Sequence, residues 1–370
     1  MKKPASLFVL ASLAIGIFIF GNIVIIAQEG NNLPPDMAID SATRSQTIEN
    51  LLKDLNESYV FPEVAKRMEA DIRNRMKNNE YDNITSARDF AKKLTEDLRA
   101  VSKDKHLGVR YSHRVIPVRQ ARSEPTAEEK EQQKLMLKLN NYGFVKIEVL
   151  QGNIGYIDFR GFTDPELGAE TVAAAMNFVA NTDALIFDLR QNGGGSPEMV
   201  ALISSYLFGD KPVHLNSLYW RKGDKTEEYW TKPEKAAKKF GDKDVYVLTS
   251  NYTFSGAEEF SYNLKNLKRA TIVGETTGGG AHPGGTVRLG DHFGAFIPTG
   301  RAISPITKTN WEGTGVEPDV KTSKELALKT AYSMALNKSR ERAKDEGMKN
   351  ALSRLIEKNQ KEINDLKSKK

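Results

Sequence analysis

Apolar positions recur with two different periods along this chain, and the change of period divides it. Ile48, Leu51, Leu52 and Leu55 share one helical face, as do Ala65, Met68, Ile72 and Met76, and then Phe90, Ala91, Leu94 and Leu98. These stripes predict a small helical domain over 44–112, whose third helix opens on a capping pair, Ser86 with Asp89, and ends near Val101. From 146 onward the pattern changes. The runs "IGYIDF", "ALIFDL", "DVYVLT" and "ATIVG" are short, apolar and rich in β-branched residues. Between them, "ETVAAAMNFVA", "SPEMVALISSYLF" and the stretch after Ser255 have helical spacing. Strands alternating with helices predict an α/β core with a largely parallel sheet over 146–322. The intervening 113–145 reads as a charged surface excursion, "RSEPTAEEKEQQKLMLKLNN", with a short helix. Gly-rich hairpin-like pieces run to about Pro305. The tail over 323–370 is charged and helical, with Leu328, Ala331, Tyr332 and Ala335 placed to pack on the core.

The N-terminus adds a location. After Lys2 and Lys3, "PASLFVLASLAIGIFIFGNIVIIAQ" carries no charge and is long enough to cross a bilayer. Over 1–28 it reads as a signal peptide cut after Ala27 or as a retained transmembrane anchor. In both cases the lysines stay in the cytoplasm and the rest is exported. The polar 29–43, with its Pro-Pro pair, is a linker. Cysteine is absent, which removes disulfides, thiolate nucleophiles and cysteine zinc sites together. The net charge of +6 is spread over lysines with no aromatic-interleaved basic stripe, so nucleic acid is not an expected partner. Oligomeric state is not legible in the sequence.

Two stretches carry chemistry. In "LTSNYTFSGAEEF", Ser255 stands between a strand and a helix N-terminus, beside the small Gly256 and Ala257. A serine there is either a helix cap or a nucleophile facing free N–H groups that can hold a developing negative charge. In "ALIFDLRQNGGGSPEMV", a buried strand turns through Gly193, Gly194 and Gly195 into a helix near Ser196 and Pro197. Such a turn can cradle a phosphate or an oxyanion, or be a plain turn; no Lys-Ser or Lys-Thr follows it, which argues against a P-loop.

Taken in order, "FDLRQNGGG", "TSNYTFSGAEEF", "IVGETTGGG" and "NWEGTGVEPDV" resemble the carboxyl-terminal processing (tail-specific) serine peptidases. More narrowly they resemble the branch with the tricorn protease core and the interphotoreceptor retinoid-binding protein repeats, over about Ser45 to Asp319. The resemblance implies a crotonase/ClpP-like ββα spiral core behind a helical N-terminal domain. It also implies Ser255 as nucleophile, with oxyanion donors at the N–H groups of Gly194 and Gly256. Two departures matter. Bacterial relatives carry a catalytic lysine where this chain reads Gly280, and no lysine occurs from Thr271 to Arg301. They also carry a PDZ domain, for which Arg110 to Val149 is too short.

The base must therefore be a histidine or a carboxylate. His106, in "DKHLGVRYS", stands where the tricorn-type branch places its catalytic histidine, and Glu312 matches that branch's supporting glutamate. His282, in "GGGAHPGG", is the rival base, or otherwise a solvent-exposed loop histidine; His113, His214 and His292 receive no role. A histidine base predicts activity that falls as pH drops through about 6 to 7. No helical ligand pair for a metal occurs, and the chemistry requires no cofactor. The reading is an exported serine endopeptidase acting on peptide or protein substrates. The alternative is a non-catalytic carrier of apolar ligands on the same core; acyl-CoA chemistry of the crotonase kind fits export poorly.

Overall fold

The computed structural model describes residues 34–118 and 126–368. The apolar run expected to meet the membrane lies outside the described residues. Among those described, no helix is long and apolar enough to cross a membrane.

Three helices come first: α1 (Ser41–Ser58), α2 (Pro62–Lys77) and α3 (Ala87–Ser102). Their predicted stripes are buried, Met76 only partly, and Ser86 caps α3 by accepting from the Asp89 N–H at 3.0 Å. Short strand β1 (Gly108–Tyr111) and the exposed α4 (Ala127–Leu139) follow. Among the described residues only these two elements and a 3-10 turn (Asn141–Gly143) stand between α3 and the core, and there is no PDZ domain.

The core then runs β2 (Phe144–Leu150), β3 (Ile154–Phe159), α5 (Pro165–Val179), β4 (Ala184–Asp188) and α6 (Pro197–Ser205). It continues through β5 (His214–Trp220), β6 (Lys225–Trp230), β7 (Asp244–Thr249), α7 (Gly256–Asn266) and β8 (Thr271–Gly274). After these come β9 (Gly284–Arg288), β10 (Phe293–Pro298), β11 (Gly300–Ile303) and β12 (Val320–Lys321), and the chain closes with α8 (Lys324–Arg342) and α9 (Glu346–Ser368).

The central sheet has the order β12-β8-β7-β4-β3-β2, parallel except for the antiparallel edge strand β2. Its inner strands β3, β4, β7 and β8 are mostly apolar because both faces are covered, while the edge strand β2 is half-exposed. In β4, Leu185 and Phe187 face α5, α6 and α7, whereas Ala184 and Ile186 face α8, where Ala327, Ala331 and Ala335 let helix and sheet approach closely. The helical tail is therefore one of the two covering layers.

The helical region does not have a core to itself. Leu51, Phe90 and Leu98 share one apolar cluster with Leu289, Phe293 and Ile297 on and beside the β9–β10 hairpin, and β1 pairs with β10. The Asn50 side chain donates to the Leu289 carbonyl at 2.7 Å, and the Val60 N–H to that of Pro298 at 2.9 Å. This shared packing holds the turn after α3, which carries His106, against the sheet domain.

Candidate active site

Ser255 is the residue between β7 and α7, at the carboxyl end of a parallel strand, where open α/β sheets place their ligands. Its backbone has φ +53° and ψ −122°. Ordinary capping residues here are extended, as in Ser86 at φ −80°, ψ 125° and Thr126 at φ −60°, ψ 160°. A non-glycine residue held at positive φ costs on the order of 1–3 kcal/mol, and such strain gathers at functional sites.

The neighbouring segments enforce that geometry. Glu258, buried one turn into α7, accepts four hydrogen bonds: from the Ser255 N–H at 2.9 Å, the Gly280 N–H at 2.8 Å, the Gly279 N–H at 2.6 Å and the Thr277 hydroxyl at 2.5 Å. Burial raises the Glu258 pKa above the usual carboxylate range against the pull of these donors. The residue ties the serine turn to the loop after β8, and its local sequence, Ser255-x-x-Glu258, shows only the spacing of a helix capping box.

On the other side sits the glycine turn after β4. Gly194, at φ +104°, lies so close to the serine turn that a Cβ there would stand 2.8 Å from Ser255 Cβ and 2.7 Å from the Gly256 nitrogen. Only glycine fits. The Phe254 N–H donates to the Asn192 carbonyl at 3.1 Å, joining the two turns. The Gly194 N–H, expected to be a free oxyanion donor, instead donates to Asn192 Oδ1 at 2.8 Å, and the buried Asn192 spans on to the Phe159 carbonyl at 2.9 Å. The local reason is that a buried asparagine side chain needs partners for both its groups. Gly256 is the first residue of α7, where backbone N–H groups point out of the helix end.

His106 reaches this site from the turn after α3. Its ring lies 4.5 Å from the Phe254 ring and 5.8 Å from that of Phe296. A Cβ added at Gly280 would stand 2.6 Å from His106 Cε1 and 2.2 Å from Phe254 Cζ. The space beside Gly280 is thus occupied by these two rings. Burial drives the His106 pKa down to about 4, against the attraction of Asp104. Among the described residues, no hydrogen bond joins His106 to Ser255.

The expected pairing of Glu312 with His106 is not made. Glu312 accepts from the Ala281 N–H at 2.5 Å and lies 3.5 Å from His282 Nδ1. His106 Nδ1 and Glu312 Oε1 are both shut from solvent and without a hydrogen-bond partner. Asp104, two residues before His106, is the hub instead. It is buried, accepts from the His106 N–H at 3.0 Å and from the Tyr59 hydroxyl at 3.0 Å, and lies 2.8 Å from His282 Nδ1. Burial pushes its pKa up, but the His282 hydrogen bond and the neighbouring imidazoles outweigh this and hold it below the usual range. Burial and the Asp104 charge raise that of Glu312.

His282 is not a solvent-exposed loop residue. It is 6% exposed, with its ring 5.2 Å from that of Phe61, because the glycine loop folds back under α1 and α2. Sequence reasoning missed Tyr59, Asp104 and Glu258. An "Asp-x-His" spacing, in which the carboxylate caps the turn that presents the imidazole, is the signal that would have found Asp104.

Comparison with known proteins agrees with the resemblance. Residues 153–322 match the family model described as peptidase family S41, and residues 41–150 match the N-terminal domain of that family found in eukaryotic IRBP. A carboxy-terminal-processing protease of Bartonella bacilliformis is 24% identical over 196 residues, which cover 51% of this chain and 44% of that protein. The chain thus spans under half the length of this curated relative. The solved structure of a lipoprotein from Streptococcus agalactiae shares the fold, with a TM-score of 0.52, 17% identity, and coverage of 82% of this chain and 98% of that one. A candidate peptidase from Parabacteroides merdae has a TM-score of 0.54, 19% identity, and coverage of 79% and 96%.

Proposed function

The chain belongs to peptidase family S41, and on that premise we propose that it is a serine endopeptidase that hydrolyses peptide or protein substrates through Ser255. The observation that carries this reading is the positive-φ serine clamped between a glycine turn and a buried carboxylate, a conformation that a mere helix cap does not need.

In the reaction, Ser255 Oγ attacks the scissile carbonyl while His106 accepts its proton. The tetrahedral oxyanion is received by the Gly256 N–H at the start of α7 and by the Gly194 N–H, which shares its hydrogen between Asn192 Oδ1 and the substrate oxygen. His106 then returns the proton to the leaving amine, and a water repeats the sequence on the acyl-enzyme. Its depressed pKa keeps the imidazole neutral, and so able to accept a proton, at neutral pH. Glu312 and Asp104 hold negative charge beside the imidazolium as it forms. Rotation of His106 on binding substrate brings Nδ1 toward the unpaired Glu312 Oε1 and the other ring nitrogen toward Ser255, a tightening expected of free enzymes.

A fluorophosphonate probe tests the reading. It is expected to label Ser255 in the wild type and not in Ser255→Ala, and His106→Ala is expected to lose about as much hydrolysis as Ser255→Ala, because members of one catalytic unit are not additive. Absence of labelling, together with tight binding of a fluorescent fatty acid, would return the carrier reading. For location, the proposal is export with retention of the apolar N-terminal segment. N-terminal sequencing of the protein from native membranes checks it, and a mature start at Gln28 would overturn the anchor.

A further inference from the structure

We propose that Asp104, His106 and Glu312, with His282 beside them, form a binding site for a zinc-class divalent cation that reversibly inhibits the peptidase. The proposal rests on the peptidase reading for the word inhibits, but not for the site itself.

The donors come from three distant segments of the chain and converge. A ring nitrogen of His106 and one carboxylate oxygen each from Asp104 and Glu312 all lie within 4.8 Å of one another. His282 Nδ1 flanks this three-donor group, hydrogen-bonded to Asp104 Oδ2 at 2.8 Å and 3.5 Å from Glu312 Oε2. Ligands about 2.0–2.1 Å from a tetrahedral zinc stand about 3.3–3.5 Å apart, so the three-donor group closes by about an ångström on the ion, and a fourth position is left for water or for His282 once its hydrogen bond to Asp104 opens.

A second observation is independent of that convergence. His106 Nδ1 and Glu312 Oε1 are both buried and unpartnered, although buried polar atoms are nearly always hydrogen-bonded. No lysine or arginine pairs with either carboxylate among the described residues; the ion-pair partner of each is His282. Two carboxylates thus share a pocket with two imidazoles, and the nearby Arg99, which acts on His106, is held by the Lys105 and Leu107 carbonyls and pairs with neither carboxylate. A divalent cation supplies the missing charge and uses the idle lone pairs.

The donor set selects the metal. An imidazole nitrogen with two carboxylate oxygens in a small three-donor cluster suits zinc, whereas magnesium prefers six oxygens and retains its waters. Tyr59, donating to Asp104 at 3.0 Å, and the Ala281 N–H, donating to Glu312 at 2.5 Å, are the outer partners that orient the ligands. A cation on His106 holds the ring in its free-enzyme position and draws electron density from it, so the imidazole no longer takes the serine proton.

The test uses Ser255→Ala protein, full-length and stripped with EDTA, titrated calorimetrically with zinc chloride and separately with magnesium chloride. One zinc should bind per chain, with no magnesium heat. Glu312→Gln and His106→Ala should each weaken zinc at least about tenfold, with circular dichroism confirming their fold. If either variant does not fold, His282→Asn serves in its place. In metal-free wild type, zinc at the same concentrations should slow fluorophosphonate labelling, and EDTA should restore it. Absence of zinc binding, or undiminished affinity in the folded variants, overturns the site. Zinc binding that leaves labelling unchanged overturns the inhibition. Zinc binding by Ser255→Ala with no labelling of metal-free wild type would instead sink the peptidase reading alone.

Discussion

Gly280→Ala separates the position of the His106 ring from the stability of the fold. The added Cβ would stand 2.2 Å from Phe254 Cζ and 2.6 Å from both Phe254 Cε2 and His106 Cε1. Carbon contacts settle at about 3.5–4.0 Å, so both rings must retreat by roughly 1 Å or more. The contacts are ring edges, not backbone, so the molecule can yield at an overpacking cost of about 1–3 kcal/mol. At about 2–4 °C per kcal/mol for a domain of some 150–250 residues, the melting temperature should fall by several degrees. The rate should fall much further, since misplacing a catalytic group by about 1 Å costs on the order of 10²-fold. Gly285→Ala is the control, because a Cβ there meets nothing within 4 Å. The assay is kcat/KM on a fluorogenic peptide, with the rate of fluorophosphonate labelling and a thermal melt run beside it. Gly280→Lys should fail in the same way, so the lysine of other relatives cannot simply be put back. If Gly280→Ala melts early yet keeps its activity within threefold, the His106 ring does not serve Ser255 from this position.

The acid limb of kcat/KM is expected near pH 4, not at 6 to 7 as an ordinary imidazole would give, because burial disfavours the charged ring. For stability, the unfolded chain takes up the His106 proton near pH 6.5 and the native state only near 4. His106 therefore costs nothing above pH 6.5 and destabilises progressively below it, by about 3 kcal/mol at pH 4; denaturation of His106→Asn should lose that part of the slope, and an unchanged slope would contradict the burial argument. Glu258→Gln replaces one acceptor oxygen with a donor that faces two donors, so urea denaturation should show a loss of about 3 kcal/mol with unchanged m-value, and Ser255 labelling should slow. Asn192→Ala leaves the Gly194 N–H and the Phe159 carbonyl without their partner, and should cost about 2 kcal/mol and reduce kcat more than KM; an effect on stability alone would mean that the glycine turn takes no part in the reaction.

Periodicity alone was enough for most of the elements of this protein. The stripes of α1, α2 and α3 and the apolar runs of β3, β4, β7 and β8 are local patterns that follow from which faces must be buried. The motif around Ser255 and the glycine turn were legible for a related reason: close backbone approach admits only small residues, and that demand is written residue by residue. Strands β2 and β6 are not legible because half-exposed strands such as "FVKIEVL" and "KTEEYW" are too polar to stand out from loops. The environment of the histidines belonged to the tertiary structure. His282 sits in a glycine-rich loop that reads as exposed, and only the packing of that loop beneath Phe61 and beside Asp104 buries it. The surroundings of His106 come from 104, 254, 280, 282 and 296, and the desolvation that lowers its pKa is a property of that packing and not of its local sequence. Residue identity determined which groups could act as nucleophile, base and oxyanion donor; long-range packing decided which of them meet, which are dry, and which are already engaged elsewhere.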